Sequence, residues 1–256
     1  MNYSCGFFFV RWKLSSQKRA GLRSNKMAGN LNFTLKQNFM NIAIIGATGF
    51  VGSAILNEAL NRGHQVTALV RNPGKLSVHH EHLKIVKTDI LNIGQVKDAL
   101  SGNDAVISAY NSGWSNPNIY DDFIAGSKAI QQGVKESGVK RLIVIGGAGS
   151  LEIKPGLQLI DTPDFPEAYK PGASAARDYL NIIRQENELD WTYFSPAPEM
   201  NVGNPGTRTG KYRTSKDTPV FDEHGRSKLS VEDLAVAVLD ELEKPAHIRE
   251  RFTAAY

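Results

Sequence analysis

The sequence predicts an α/β protein: one doubly wound parallel sheet in a single domain, with a small excursion near its C-terminus. Three observations carry this. Apolar runs of strand length alternate with helical-period segments from residue 40 onward. The first junction between a strand and a helix breaks into three glycines, Gly46, Gly49 and Gly52. No internal repeat, linker or second apolar cluster interrupts the beat, and 256 residues at 41% hydrophobic suffice for one substantial core. Strand and helix in strict alternation imply parallel strands, right-handed crossovers and helices on both faces.

The first unit is Ile42 to Ile45 followed by Gly46-Ala47-Thr48-Gly49-Phe50-Val51-Gly52, then Ser53 to Leu60, where Ala54, Ile55, Ala59 and Leu60 recur at helical spacing. Each glycine has its own reason to lack a side chain. Gly46 makes the turn, Gly49 lets backbone approach a pyrophosphate, and Gly52 lets the helix pack closely on the strand. The spacing is G-x-x-G-x-x-G, and the expected guest is a dinucleotide at the helix N-terminus.

Gln65 to Val70 reads as the second strand, ending in Arg71-Asn72-Pro73. An acidic residue in this place takes the ribose 2′-hydroxyl of NAD. Arg71 instead suits a 2′-phosphate and can stack on adenine, which favours NADP and leaves NAD open. Lys75 either assists it or is a surface lysine.

His82 to Ile90 gives a third strand with Asp89 at its end. Asn92 begins a helix through Val96 and Leu100, Ala105 to Tyr110 is the fourth strand, and Ile119 to Ser137 is a long amphipathic helix. Val139 to Ile145 is the fifth strand, ending in Gly146 to Ser150. Four prolines (Pro155, Pro163, Pro166, Pro171) mark the next twenty residues as an irregular loop. A helix over Ala173 to Asn187 leads into the strand Asp190 to Phe194 and then Ser195-Pro196-Ala197-Pro198. Glu199 to Gly225 is the polar, glycine-rich excursion, with a short strand expected near Thr218 to Phe221. Ser230 caps a last helix through Leu234, Val238 and Leu242, before a strand near Arg251 to Ala254.

Residues 1–39 stand apart. They hold seven basic side chains and no acidic one, which leaves 23 basic and 26 acidic side chains, a net charge of −3, on the rest of a chain whose total is +4. That balance removes the electrostatic support for nucleic-acid binding. The leader is expected to be poorly ordered, whether as a tail, an organellar transit peptide or sequence upstream of a start at Met40. The domain is expected over 40–256. No run approaches the roughly 20 apolar residues of a membrane span. The single cysteine, Cys5, allows no disulfide within the chain, and a cytoplasmic setting fits best.

With these pieces placed, the chain resembles the atypical, extended-type short-chain dehydrogenase/reductases, in the NAD(P)-binding group with the NmrA-like proteins, biliverdin reductase B and proteins classed as NADH-flavin reductases. The residues that carry the resemblance are Gly46 to Gly52, Val70 to Pro73, Thr88-Asp89-Ile90, Ala105 to Ser108, Gly146 to Ser150, Leu189 to Thr192 and Ser230 to Ala235. It implies a Rossmann-type fold in which Gly46, Thr48, Gly49, Phe50, Val51 and Gly52 hold the pyrophosphate. Arg71, Asp89 and Ile90 would then meet the adenosine. Ala109, Tyr110 and the Asn111 to Trp114 loop would flank the nicotinamide ribose, with Gly147 to Ser150 and Ser195 to Ala197, Pro196 among them, closing on the ring.

Typical members of that superfamily carry Tyr-x-x-x-Lys for proton transfer. Tyr169 is followed four residues on by Ala173 and Tyr179 by Ile183, and Ser150 stands at the place of the family's serine without a recognisable tyrosine partner. The catalytic group is left open among Ser150, Tyr169 and Trp114. Hydride transfer to a flavin or quinone asks less of the protein, because such an acceptor takes its proton from water. Trp114, Tyr169 and Phe165 are candidate walls for this flat, aromatic small molecule. An NmrA-like redox sensor without turnover and a nucleotide-sugar epimerase or dehydratase are the alternatives. Lys211, Tyr212 and Arg213 are candidates to meet an anionic acceptor or are simply solvated. His64 is expected in a turn, and His79, His80 and His82 in a polar loop with no metal-ligand spacing. Oligomeric state is left open.

Overall fold

The computed structural model describes residues 39–203 and 206–256. The leader, with Cys5 and the expectations attached to it, lies outside the described residues. The first half runs β1 (Asn41–Ile45), α1 (Phe50–Asn61), β2 (Gln65–Val70), β3 (Leu83–Lys87), α2 (Ile93–Leu100), β4 (Ala105–Ser108), α3 (Ile119–Ser137) and β5 (Arg141–Ile145). The second half runs β6 (Glu152–Lys154), β7 (Leu157–Gln158), α4 (Lys170–Ile183), β8 (Asp190–Ser195), β9 (Arg213–Ser215), α5 (Val231–Glu243) and β10 (Glu250–Ala255).

The main sheet has eight strands in the order β3-β2-β1-β4-β5-β8-β10-β9, parallel except for β9 at one edge. Strand β1 shows why the sheet is covered on both faces. Ile42 and Ile44 join a core with Ile55, Leu56, Leu234 and Val238 of α1 and α5. Ala43 and Ile45 point the other way, into a core with Val96, Phe123, Ile130 and Leu180 of α2, α3 and α4. Each such aliphatic side chain contributes roughly 1.5–3 kcal/mol on burial.

Most predicted elements stand within a few residues of their expected places, and the helix Ile119–Ser137 coincides with its expected span. The departures have local causes. Helix α4 starts at Lys170, since Pro171 sits in its first turn, where a missing N–H costs nothing, and it ends at Ile183. Inside the stretch expected to be irregular, β6 and β7 form a small antiparallel hairpin. Its turn is Pro155-Gly156, with Gly156 at φ +76°. The strand of the excursion is β9, not Thr218 to Phe221, because Pro219 has no N–H to give a ladder while Arg213 to Ser215 pairs with Ala255 to Thr253.

His64 directly follows the turn at Arg62-Gly63, close to its expected place, and is buried. Its Nδ1 accepts the Met40 N–H at 3.2 Å, which leaves Nε2 to carry the hydrogen toward Glu243 Oε1 at 3.0 Å. Beside it Arg62 ties Glu58 to Asp240 and Glu243, joining α1 to α5.

The excursion is held to the fold by Asp233, in the first turn of α5. This fully buried carboxylate accepts from the Thr209 N–H and hydroxyl, the Gly210 N–H and the Tyr256 hydroxyl, while Ser230 caps the helix through the Asp233 N–H. Burial raises its pKa, but the hydrogen bonds from Tyr256, Thr209 and Gly210 outweigh this and hold the carboxyl below the ordinary range. A depressed carboxylate pKa contributes stability that is present above the unfolded value, about 3.9, and is lost as pH falls through the folded value. An Asp233→Asn protein should therefore lose about 1–3 kcal/mol at neutral pH and show a shallower decline of melting temperature below about pH 4. Equal slopes for the two proteins would refute the linkage.

Candidate functional site

The strand order reverses between β1 and β4, the place where open parallel sheets leave a crevice at their carboxyl ends. Gly46 turns the chain out of β1 at φ +83°, and a Cβ there would lie 2.5 Å from Ala109 O. The turn closes through Gly49 N–H donating to Gly46 O at 3.0 Å. A Cβ on Gly52 would stand 2.1 Å from that same oxygen, so the helix meets the turn only because position 52 is bare.

Helix α1 begins here with no side-chain cap and no acidic residue in its first turn. Among the described residues nothing accepts from the Phe50, Val51 or Gly52 N–H groups, and Thr48 and Gly49 are exposed above them. Unpaired amides at a helix N-terminus are an anion site. A Cβ on Gly49 meets nothing nearer than Gly46 O at 3.4 Å, so the space over it is open. These residues fit a dinucleotide pyrophosphate.

Arg71 leaves the end of β2 exposed, with no ion pair among the described residues. Asp89 lies past β3, its Oδ1 accepting Leu91 N–H at 3.1 Å and its own N–H donating to Gln95; Ile90 is half-buried beside it. Tyr110 turns its ring under α3, stacked on Phe123, and its hydroxyl donates to Asp122 O at 3.0 Å. Burial, then the Asp122 charge, pushes its pKa up. What Ala109 and Tyr110 offer the crevice is therefore backbone.

On the other side, Gly146 and Gly147 follow β5 over the ring of Tyr193, which a Cβ on Gly146 would penetrate at 1.9 Å. The Tyr193 hydroxyl donates to Ala176 O at 2.8 Å and fastens this floor to α4. Pro196 stands half-buried past β8. Ser150 is not presented to the crevice: it is buried, and its hydroxyl accepts from Arg251 Nη1 at 3.0 Å. Trp114 and Tyr169 do come together, edge to face with centroids 5.4 Å apart, 60% and 52% exposed. Gly172 makes room for this, since a Cβ there would be 2.9 Å from the indole. Phe165 is half-buried nearby in the chain.

The chain does contain one Tyr-x-x-x-Lys spacing, Tyr212 to Lys216, which the reading of Tyr169 and Tyr179 passed over. It spans β9, where residues four apart are roughly 13 Å distant and not on one helical face. Tyr212 donates to Asp240 at 2.6 Å and Lys216 to Glu250 at 2.8 Å. Arg213 is bound to Phe221 O and Tyr256 O, while Lys211 is exposed. His80 and His82 face each other edge-on at 5.2 Å. Among the described residues no cluster of three His, Cys, Asp or Glu side chains can hold a metal, and no helix is long and apolar enough to cross a membrane. Sequence reasoning missed Tyr193, Gly172 and Arg251, whose roles depend on partners far along the chain.

A family model described as NAD(P)H-binding matches residues 46–245. The uncharacterized protein YwnB of Bacillus subtilis is 38% identical over 216 residues, 84% of this chain and 97% of that one. A candidate epimerase from Bacteroides thetaiotaomicron has a crystal structure that aligns at TM-score 0.78 and 50% identity, covering 85% of this chain and 97% of its own. A candidate NADH-flavin reductase from Streptococcus pneumoniae aligns at 0.72 and 39%, over 84% and 99%. The similarity to these relatives extends over nearly their full length, and the chain belongs to the NAD(P)H-binding family of Rossmann-type, atypical short-chain dehydrogenase/reductase-like proteins.

Proposed function

We propose that this protein is an NAD(P)H-dependent oxidoreductase that passes hydride to a flat acceptor such as a flavin or quinone. The observation that carries the reading is the exposed Trp114–Tyr169 pair, which stands on the loop after β4 and at the start of α4. When bound, the reduced nicotinamide supplies the hydride. Gly46, Thr48, Gly49 and the amides of Phe50, Val51 and Gly52 hold the pyrophosphate; Arg71 takes the 2′-phosphate of NADP; Asp89 and Ile90 meet the adenine. Ala109 and Tyr110 place the ribose by backbone, and Gly147 and Pro196 bound the ring. Of the perpendicular pair, one ring stacks on the acceptor and holds it parallel to the nicotinamide while the other meets its edge, supplying catalysis by orientation. With Ser150 held by Arg251 and Tyr212 by Asp240, an acceptor that draws its proton from water suits the site.

The epimerase description of the 50%-identical neighbour supports a second reading. It asks for an acid-base pair at the nicotinamide, of which Tyr169 is the one candidate at the wall.

The test follows nicotinamide absorbance with the full chain, NADPH or NADH, and riboflavin or a naphthoquinone. Acceptor-dependent oxidation about tenfold faster with NADPH at limiting concentration is expected. Arg71→Ala should erase that preference and leave NADH turnover within about twofold, since an Arg–phosphate contact contributes about 1.5–3 kcal/mol. Tight NADP binding without turnover on any acceptor would overturn the oxidoreductase in favour of a sensor.

A further inference from the structure

The surface around the Trp114–Tyr169 pair is acidic. Asp161, Asp164 and Glu167 lie on the segment that ends in Tyr169, and Asp121 and Asp122 form the first turn of α3. Gly172 brings these two segments together, because both Ile119 at the start of α3 and Trp114 close on it. Tyr120 then reaches across to Asp178 of α4 at 2.7 Å. The cations in this region are already engaged by carboxylates: Lys170 pairs with Glu167, and Arg177 with Asp161 and Asp178. Among the described residues Asp121 and Asp164 have no ion pair. Of the residues considered for an anionic acceptor, Arg213 is bound to the backbone oxygens of Phe221 and Tyr256 and Tyr212 to Asp240.

We infer that the Trp114–Tyr169 wall selects a flat acceptor without phosphate or sulfonate groups, a neutral isoalloxazine or quinone and not a flavin nucleotide. This rests on the reductase reading of the same site and names its substrate class. The aromatic faces contribute affinity for any planar ring, so they do not discriminate. The carboxylates do. Each repels an acceptor's anionic group weakly through water, but several act together on a doubly charged phosphate, and the effect falls away once the screening length drops to about 3 Å at 1 M salt.

The experiment measures kcat/KM with NADPH for riboflavin against FMN, and for 1,4-naphthoquinone against its 2-sulfonate, at low and high ionic strength. Riboflavin should exceed FMN by about tenfold at low salt, and the ratio should shrink to within about twofold near 1 M. Asp164→Lys combined with Glu167→Lys, both exposed, should bring the low-salt ratio to unity or reverse it. FMN turning over as well as riboflavin at low salt overturns the inference while leaving the reductase standing. If no acceptor oxidises NADPH, the reductase reading is the one that fails. Flavin fluorescence anisotropy on protein loaded with NADP⁺ then still reads the charge preference, and equal binding of riboflavin and FMN would dismiss it independently.

Discussion

A Gly49→Val protein should fold and yet bind NADPH at least 100-fold more weakly. Position 49 is the N-cap of α1 at φ −86°, ψ 170°, extended backbone that valine adopts readily. Its Cβ would find only Gly46 O at 3.4 Å, an ordinary contact. The fold then loses only what a β-branched residue costs at an N-cap, about 1 kcal/mol, or a few degrees of melting temperature. The new methyl groups occupy the open space over the Phe50, Val51 and Gly52 amides, which the proposed pyrophosphate contact needs clear. A hundredfold loss corresponds to about 2.7 kcal/mol, the scale of two charge-assisted hydrogen bonds. Gly52→Ala should differ by losing stability as well. Its methyl carbon meets Gly46 O at 2.1 Å, so backbone must move, and we expect a loss of about 3 kcal/mol despite the roughly 1 kcal/mol that alanine gains over glycine inside a helix. Thermal melts paired with NADPH fluorescence titrations separate the two. Near-native NADPH affinity in Gly49→Val would remove the pyrophosphate from this turn.

That contrast also shows what was legible in the sequence. The glycine turn, the alternation of strands and helices, and the place of Arg71 at the end of β2 are local patterns, fixed by periodicity and by which residues tolerate tight backbone. The strand β2 stands at Gln65–Val70, as its apolar run predicts. Boundaries were less legible where proline has two meanings: Pro171 opens α4, while Pro219 excludes a strand. Side-chain roles set by distant partners were hidden. Ser150 occupies the place of a catalytic serine, and nothing within its own loop reveals that Arg251, 101 residues on, takes its hydroxyl. His64 is buried because Glu243 and Met40 reach it from other elements. The Tyr212 to Lys216 spacing has the right residues but lies on a strand, so its geometry contradicts its sequence pattern.

The largest expected loss of stability lies at the opposite ends of the strands, where Arg141 opens β5. It is buried, and it donates to Glu241 Oε1 at 2.9 Å, Asp190 O at 2.9 Å and the Thr192 hydroxyl at 2.7 Å. Burial pulls its pKa down, and the Glu241 charge offsets only part of that. Glu241 in turn accepts the Ala246 and His247 N–H groups and faces His247 Nδ1 at 2.8 Å, setting the turn into β10. Arg141→Met keeps the volume but leaves a buried carboxylate without its cation, which should cost about 3–5 kcal/mol, or about 10 °C. Glu241→Gln alone strands the cation instead while preserving an acceptor for the turn. Made together, the two substitutions should cost less than their sum by about 2 kcal/mol, because neither charge is then left alone. NADPH affinity should stay within about twofold in all three, since the network lies at the amino ends of β5 and β8 and the glycine turn at the carboxyl end of β1. Additive losses in denaturant melts would mean that the pair is not coupled. A shared loss of NADPH binding would mean that the two ends of the strands do not act as independent parts.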